Sequence, residues 1–233
     1  VGQSIAQIIG LIAGIGLIIG AMSITGVANS FSRELVQYAG GNVALLLATG
    51  AITSFILGMG MTASACYIFL AIVLAPALVK TGLDPMAVHL YVFYWGIVSF
   101  ITPPVALAAI AAASIAKADA MAVGFKAIRI GCLLLLLPVL FVLQPALILK
   151  GPILEVLQVS ATAVVAVLMM AGGLEGYLYG VGRLSLPARI LIAVGGLLLL
   201  IPETYTDLIG IGLGVAGALV AMVTRERAAG TTA

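Results

Sequence analysis

Charge is what this chain has least of. Of its 233 residues 8% are Asp, Glu, Lys or Arg, against roughly 25% in soluble domains. There is one histidine, His89, and there are two cysteines, Cys66 and Cys132. So few ionisable groups leave little for acid, base or metal chemistry, which needs several titratable side chains converging on one place. The net charge of +2 is too small and too scattered to attract nucleic acid, so no nucleic-acid partner is expected. Both cysteines lie inside apolar segments and read as packing residues rather than as a disulfide or metal ligands. No basic-then-apolar leader is visible at Val1, and the chain is expected to begin partway through a longer polypeptide.

Apolar residues make up 64% of the sequence and the mean hydropathy is +1.32, so the solvent this chain is built for is lipid. From Leu35 to Val79 there is no charged residue, and Gly58-Met59-Gly60-Met61-Thr62-Ala63-Ser64 interrupts the apolar run near its centre. One membrane crossing takes about 20 residues. The stretch is too long for one crossing, while its halves, Asn42 to Leu57 and Ala63 to Val79, are each short for a full one. That pattern predicts a helical hairpin, 42–79, dipping into the bilayer. Backbone at its tip cannot face lipid, so the tip must line a protein or water cavity. The segment Met86 to Ala116 is also too long for a simple crossing. It is interrupted by Thr102-Pro103-Pro104, where proline removes donors and disfavours helix in the residue before it. It reads as two half-helices with an unwound joint.

Further spans are expected at Gln3 to Asn29, Ile130 to Leu149, Val156 to Leu174, Ile190 to Ile201 and Leu208 to Val223, the fourth extended backward through Pro187 as a first-turn proline. The expected fold class is thus all-α integral membrane: a multi-span helical bundle with one re-entrant hairpin and one broken helix. Residues 1–129 form its transport part and 130–233 its C-terminal membrane helices. If the hairpin returns to its starting side, one compartment receives Lys117, Lys126, Arg129, Arg183, Arg189, Arg225 and Arg227, and the other only Arg33, Lys80 and Lys150. The positive-inside rule makes the first cytoplasmic, and the hairpin mouth then opens outward.

Several patterns carry less than they suggest. Gly210, Gly212, Gly214 and Gly217 imitate a dinucleotide fingerprint, but that motif needs a preceding strand. Close helix packing through small residues accounts for them better. His89, beside Tyr91 and Tyr94, reads as an interfacial or hydrogen-bonded packing residue, and Glu175, followed by Arg183, as a surface one. Met59 and Met61 read as adaptable packing rather than copper ligands.

What survives is the pair of breaks. Helix ends exposed at the midplane present free amides or free carbonyls, and so can hold an anion or a small cation without a charged side chain. Candidate binding residues are Gly58, Gly60, Met61, Thr62, Ala63 and Ser64 at the tip and Ser99, Ile101, Thr102 and Pro103 at the joint. Neutral oxygens from backbone near Gly58 and Ile101 and from the hydroxyls of Thr62 and Thr102 suit a hard cation such as sodium. The alternative is that both breaks are packing kinks.

At these residues the chain resembles a known family. Ser23-Ile24-Thr25-Gly26, Gly58-Met59-Gly60, Ala65-Cys66-Tyr67-Ile68, Ala75-Pro76-Ala77-Leu78, Ile101-Thr102-Pro103-Pro104-Val105-Ala106-Leu107-Ala108 and Gln144-Pro145-Ala146-Leu147 look like the large membrane subunit of tripartite ATP-independent periplasmic (TRAP) transporters, most similar to the C-terminal half of the fused type paired with TAXI-class binding proteins. Relatives usually carry proline and threonine at the hairpin tip, where this chain has Met61-Thr62-Ala63-Ser64. The resemblance implies an elevator-type secondary transporter of the bacterial inner membrane, embedded in lipid, coupled to sodium, with no other cofactor and no enzymatic activity. It implies an organic-acid substrate delivered by a periplasmic solute-binding protein. It also implies two inverted repeats, of which this chain supplies the second, so that an N-terminal half and a small membrane subunit are expected as partners. Two other functions stand beside it: an intramembrane lipid-modifying enzyme, and a divalent-anion or citrate-type symporter, whose hairpin tips rest on a Ser-Asn-Thr motif absent here.

Overall fold

The computed structural model describes residues 2–59, 61–201 and 204–230. It is almost entirely helical and divides into two compact units, Val1–Leu143 and Gln144–Ala233. Three stretches among the described residues are long and apolar enough to cross a membrane: Ala120–Leu143, Ile153–Glu175 and Tyr205–Val223.

In the first unit α1 (Gly2–Ile24) ends at a Thr25-Gly26 turn, and α2 (Val27–Ala39) follows, bounded at both ends by left-handed glycines, Gly26 and Gly40. The first span therefore stops at Ile24 and does not reach Asn29 as expected. A glycine at positive φ ends a helix where another residue would be strained. The hairpin expected at 42–79 is present as helix, turn and helix. The first arm, α3 (Val43–Gly58), is capped by Asn42, whose side chain accepts from the Leu45 amide at 3.2 Å. Its return arm is α4 (Ala63–Val73) and α5 (Ala75–Val79), with Thr62 capping α4. Pro76, lacking an N–H, coincides with the break between them. Beyond Asp84, which caps it with a 3.1 Å bond from the Ala87 amide, runs α6 (Pro85–Val98). An irregular stretch, 99–106, separates α6 from α7 (Leu107–Ala116), which is the broken helix read from the sequence.

The chain then turns at Asp119, the cap of α8 (Ala120–Ile130), and continues after Gly131-Cys132 into α9 (Leu133–Leu143). The span expected at Ile130 to Leu149 is thus displaced toward the N-terminus. Pro145 stops the helix, and 145–148 form a single 3-10 turn. Against α6 pack α3, α4 and α9, so the first half of the broken helix is the centre of this unit. Its buried face carries Ala87, Val88, Tyr91, Val92 and Val98.

The second unit is α10 (Ile153–Glu175), a two-stranded hairpin of β1 (Tyr177–Leu178) and β2 (Gly182–Arg183), α11 (Leu186–Leu198) with Pro187 in its first turn, and α12 (Thr204–Gly230). The backward extension of α11 through Pro187 is as expected. Three of the four glycines read as packing residues in α12 are so: a Cβ on Gly210 would lie 2.7 Å from the Gly195 carbonyl oxygen, one on Gly214 2.5 Å from Met169 Cε and one on Gly217 2.6 Å from Ile192 Cγ1, whereas Gly212 is exposed with open space beside it. Small residues let helix backbones approach where lipid offers no hydrophobic drive for association.

Candidate functional site

Leu47 and Tyr91 touch, and so do Gly58 and Gly96, so α3 and α6 run the same way and close on each other at the hairpin tip. At Gly58 the approach is backbone on backbone, since a Cβ there would collide with the carbonyl of Gly96. From the other arm, a Cβ on Gly96 would meet Cys66 Sγ at 2.7 Å and Leu70 Cδ1 at 3.2 Å. Gly96 is therefore clasped by both arms of the hairpin, three residues before the joint begins. Only glycine allows such approach on two sides of one turn. Ser99, fully buried, donates its hydroxyl to the same Gly96 carbonyl at 2.9 Å. One oxygen thus brings Gly58 and Ser99, a tip residue and a joint residue, into one place.

The joint itself is held by a few bonds. Thr102 Oγ1 donates to the Val98 carbonyl at 2.9 Å, the Ala106 amide to the Thr102 carbonyl at 3.2 Å, and the Ala108 amide to the Phe100 carbonyl at 2.9 Å. The Pro103-Pro104 bond is cis, and Ala106, buried, closes the joint at φ 39. A non-glycine residue in the left-handed region costs of order 1 kcal/mol and is kept only where its surroundings fix it. Among the described residues the carbonyls of Ile101, Pro103 and Pro104 accept no hydrogen bond. Thr102 and Ser99 each direct their proton to a carbonyl of the preceding turn, which leaves the lone pairs of both hydroxyls as unused acceptors among the described residues.

The remaining expected site residues are more scattered. Ile101 packs toward Gly131, where a Cβ would lie 2.9 Å from Ile101 Cδ1, and Pro103 toward Gly124, at 2.8 Å from Pro103 Cγ. Thr102 lines an apolar groove of about 870 Å³ together with Leu47, Ala51, Phe55, Trp95 and Val139. At the tip, Thr62 Oγ1 accepts from the Ala65 amide at 3.4 Å and both Thr62 and Ser64 are exposed, while Met61 and Ala63 are half-buried. Gly60 lies outside the described residues. No hydrogen bond among the described residues joins Thr62 or Ser64 to the joint.

Three further residues bear on the site and were not singled out beforehand. Gly96 is the only glycine of α6, set among aromatics, which is the one sequence signal that could have marked it. Tyr91, fully buried on α6, donates to the Leu47 carbonyl on the first arm of the hairpin. Trp95 Nε1, with Ser54 Oγ, is a buried polar atom without a partner among the described residues. His89 is hydrogen-bonded to Tyr67 at 3.2 Å, in the packing role expected of it, and begins a run of edge-on ring contacts through Tyr67, Phe93, Tyr94 and Phe141 that fastens α4, α6 and α9 together.

The two arms of the hairpin thus close on α6 one turn before it unwinds into a joint that, among the described residues, leaves three carbonyls without a hydrogen bond. No curated protein and no solved structure matches the chain. A family model described as the tripartite ATP-independent periplasmic transporter, DctM component, matches residues 1–156, which take in the hairpin, the broken helix, α8 and α9. With well over half of its length matched, this all-α, multi-pass membrane chain belongs to the DctM family and is a large membrane component of a TRAP transporter.

Proposed function

We propose that the chain forms part of a sodium-coupled, elevator-type importer of the bacterial inner membrane, whose organic-acid substrate is delivered by a periplasmic binding protein, and that Gly58, Ser99, Ile101 and Thr102 belong to the ion-binding half of the site. The observation that carries this reading is the joint 99–106: unbonded carbonyls at Ile101 and Pro103 beside two hydroxyls whose protons already point elsewhere. A sodium ion is satisfied by such neutral oxygens, which an unwound, proline-broken backbone leaves available. A proton would need a titratable base in the working pH range. Gly60, Met61, Thr62, Ala63, Ser64 and Pro103 complete the proposed set, with the tip facing the substrate; a small membrane subunit and an N-terminal half would complete the transporter. The hairpin mouth opens to the periplasm in this reading, following the distribution of Lys and Arg.

Proteoliposomes holding the whole transporter test the proposal. Uptake in the presence of the cognate binding protein should require an inward sodium gradient. Accumulation driven by a proton gradient alone, in sodium-free buffer, would refute it.

A further inference from the structure

The second unit lies mostly beyond the residues the family model covers, and one end of it has a surface that the transport reading leaves unused. The α10–α11 connection is a rigid β-hairpin. Tyr177 pairs with Arg183 and Leu178 with Gly182, the Val181 amide bonds to the Leu178 carbonyl at 3.1 Å, and the Leu184 amide returns to Gly176 at 2.9 Å. Its inner residues, Val181 and Leu184, are buried against Ala188, Ile192 and Ala221, and Leu178 packs close over Gly172. Arg189 fixes the end of α10, donating to the carbonyls of Gly173 at 3.0 Å and Leu174 at 2.7 Å. Outward, the same hairpin presents Tyr177 at 57% exposure, Tyr179 at 95%, and Arg183.

The depth of this surface follows from the helices. Twenty-three residues of α10 span about 34 Å at 1.5 Å each, close to the thickness of a bilayer's hydrocarbon core. That helix ends at Glu175, directly before the hairpin. The apolar stretch of α12 ends at Val223, half a turn past Ala221, which packs under the hairpin. Two apolar helices thus terminate at one level, and the hairpin stands at the edge of the slab they define. Exposed tyrosines belong at the headgroup layer, where an apolar ring and a polar tip are both satisfied. Arg183 and Arg189 stand at this end too.

We propose that the β1–β2 hairpin is a headgroup-level anchor for anionic phospholipid: Tyr177 and Tyr179 seat in the interface while Arg183 pairs with lipid phosphate. An arginine suits this because its planar fork meets phosphate oxygens two at a time. The surface is formed before lipid arrives, since its inner face is locked into the helical bundle.

The whole transporter complex, placed in nanodiscs of phosphatidylcholine alone or with phosphatidylglycerol, tests this by segment-resolved hydrogen exchange. Amides of 177–183 should exchange about fivefold more slowly with the anionic lipid, as expected for one arginine near a charged surface. Arg183→Gln should abolish the difference and Arg183→Lys, which keeps the charge but not the fork, should retain only part of it. Should Arg183→Gln loosen the hairpin in phosphatidylcholine as well, Tyr179→Ser, at an almost fully exposed position, should still reduce the lipid effect while leaving exchange in phosphatidylcholine unchanged. Equal exchange in both lipids overturns the proposal. So does an undiminished lipid effect in both Arg183→Gln and Tyr179→Ser, or full protection by inorganic phosphate in phosphatidylcholine discs.

Discussion

Alanine substitutions at Gly58 and Gly96 should behave very differently, although the two glycines touch. A Cβ on Gly96 meets Cys66 Sγ at 2.7 Å, where ordinary contact begins at 3.4 Å, so the sulfur must give by about 0.7 Å. Overpacking of this size costs about 1–3 kcal/mol, partly offset by the roughly 1 kcal/mol that alanine gains over glycine inside a helix. Removing the sulfur removes the closer of the two contacts and leaves only Leu70 Cδ1 at 3.2 Å, the movable end of a side chain. Cys66→Ala alone should cost about 1 kcal/mol for the cavity, but combined with Gly96→Ala it should restore ~1–2 kcal/mol relative to the sum of the single changes. At Gly58 the obstacle is the Gly96 carbonyl, which no rotamer change can move. Gly58→Ala should therefore exceed about 3 kcal/mol, and Cys66→Ala should not rescue it. Thermal unfolding of the purified complex in detergent, read as a double-mutant cycle, measures both. A Gly58→Ala protein within ~0.5 kcal/mol of the parent, or equal rescue at the two positions, would show that the arms do not clasp α6 in this way.

Ser32, buried on α2, donates to the Val73 carbonyl at 2.8 Å. Ser32→Ala orphans that oxygen and should cost about 1–3 kcal/mol in the same unfolding assay, whereas replacement of the exposed Ser64 should be near neutral. Thr102→Val should weaken the sodium dependence of uptake several-fold with little change in unfolding temperature; an unchanged sodium titration would remove Thr102 from the ion site. For topology, Lys80→Cys should react with a membrane-impermeant thiol reagent from the periplasmic side. Labelling only from the cytoplasm would invert the orientation.

The breaks were legible because they rest on local chemistry. Gly58 to Ser64 interrupts an uncharged run, and Pro103-Pro104 removes two donors; both mark places where a helix cannot continue, whatever surrounds it. The caps at Asn42, Asp84 and Asp119 obey the same local logic. What could not be read was contact between distant segments. Hydrophobic periodicity is weak in a chain apolar on every side, so the pattern of α6 did not show which face would meet the hairpin, and only its place among aromatics could have marked Gly96. The end of the first span was misplaced for a related reason: Asn29 is polar, but Gly26, with its left-handed backbone, is what stops α1. Pro145 similarly outweighed the apolar Leu147 and Leu149 in ending α9 early.

The clasp at Gly96 also sets how stiff the hairpin is along its length. Toward the base, the hydroxyl of Ser32 grips Val73 and that of Tyr91 grips Leu47, so bending there means breaking directional bonds in a medium that offers no replacement. Between Gly58 and Gly96 the contact is backbone on backbone, while the side chains of Cys66 and Leu70 close on Gly96 from the other arm. The hairpin is therefore pinned to its neighbours by hydroxyls at its root and by close backbone contact near its tip, so Met61 to Ser64 project from a support whose two ends are held by different chemistry.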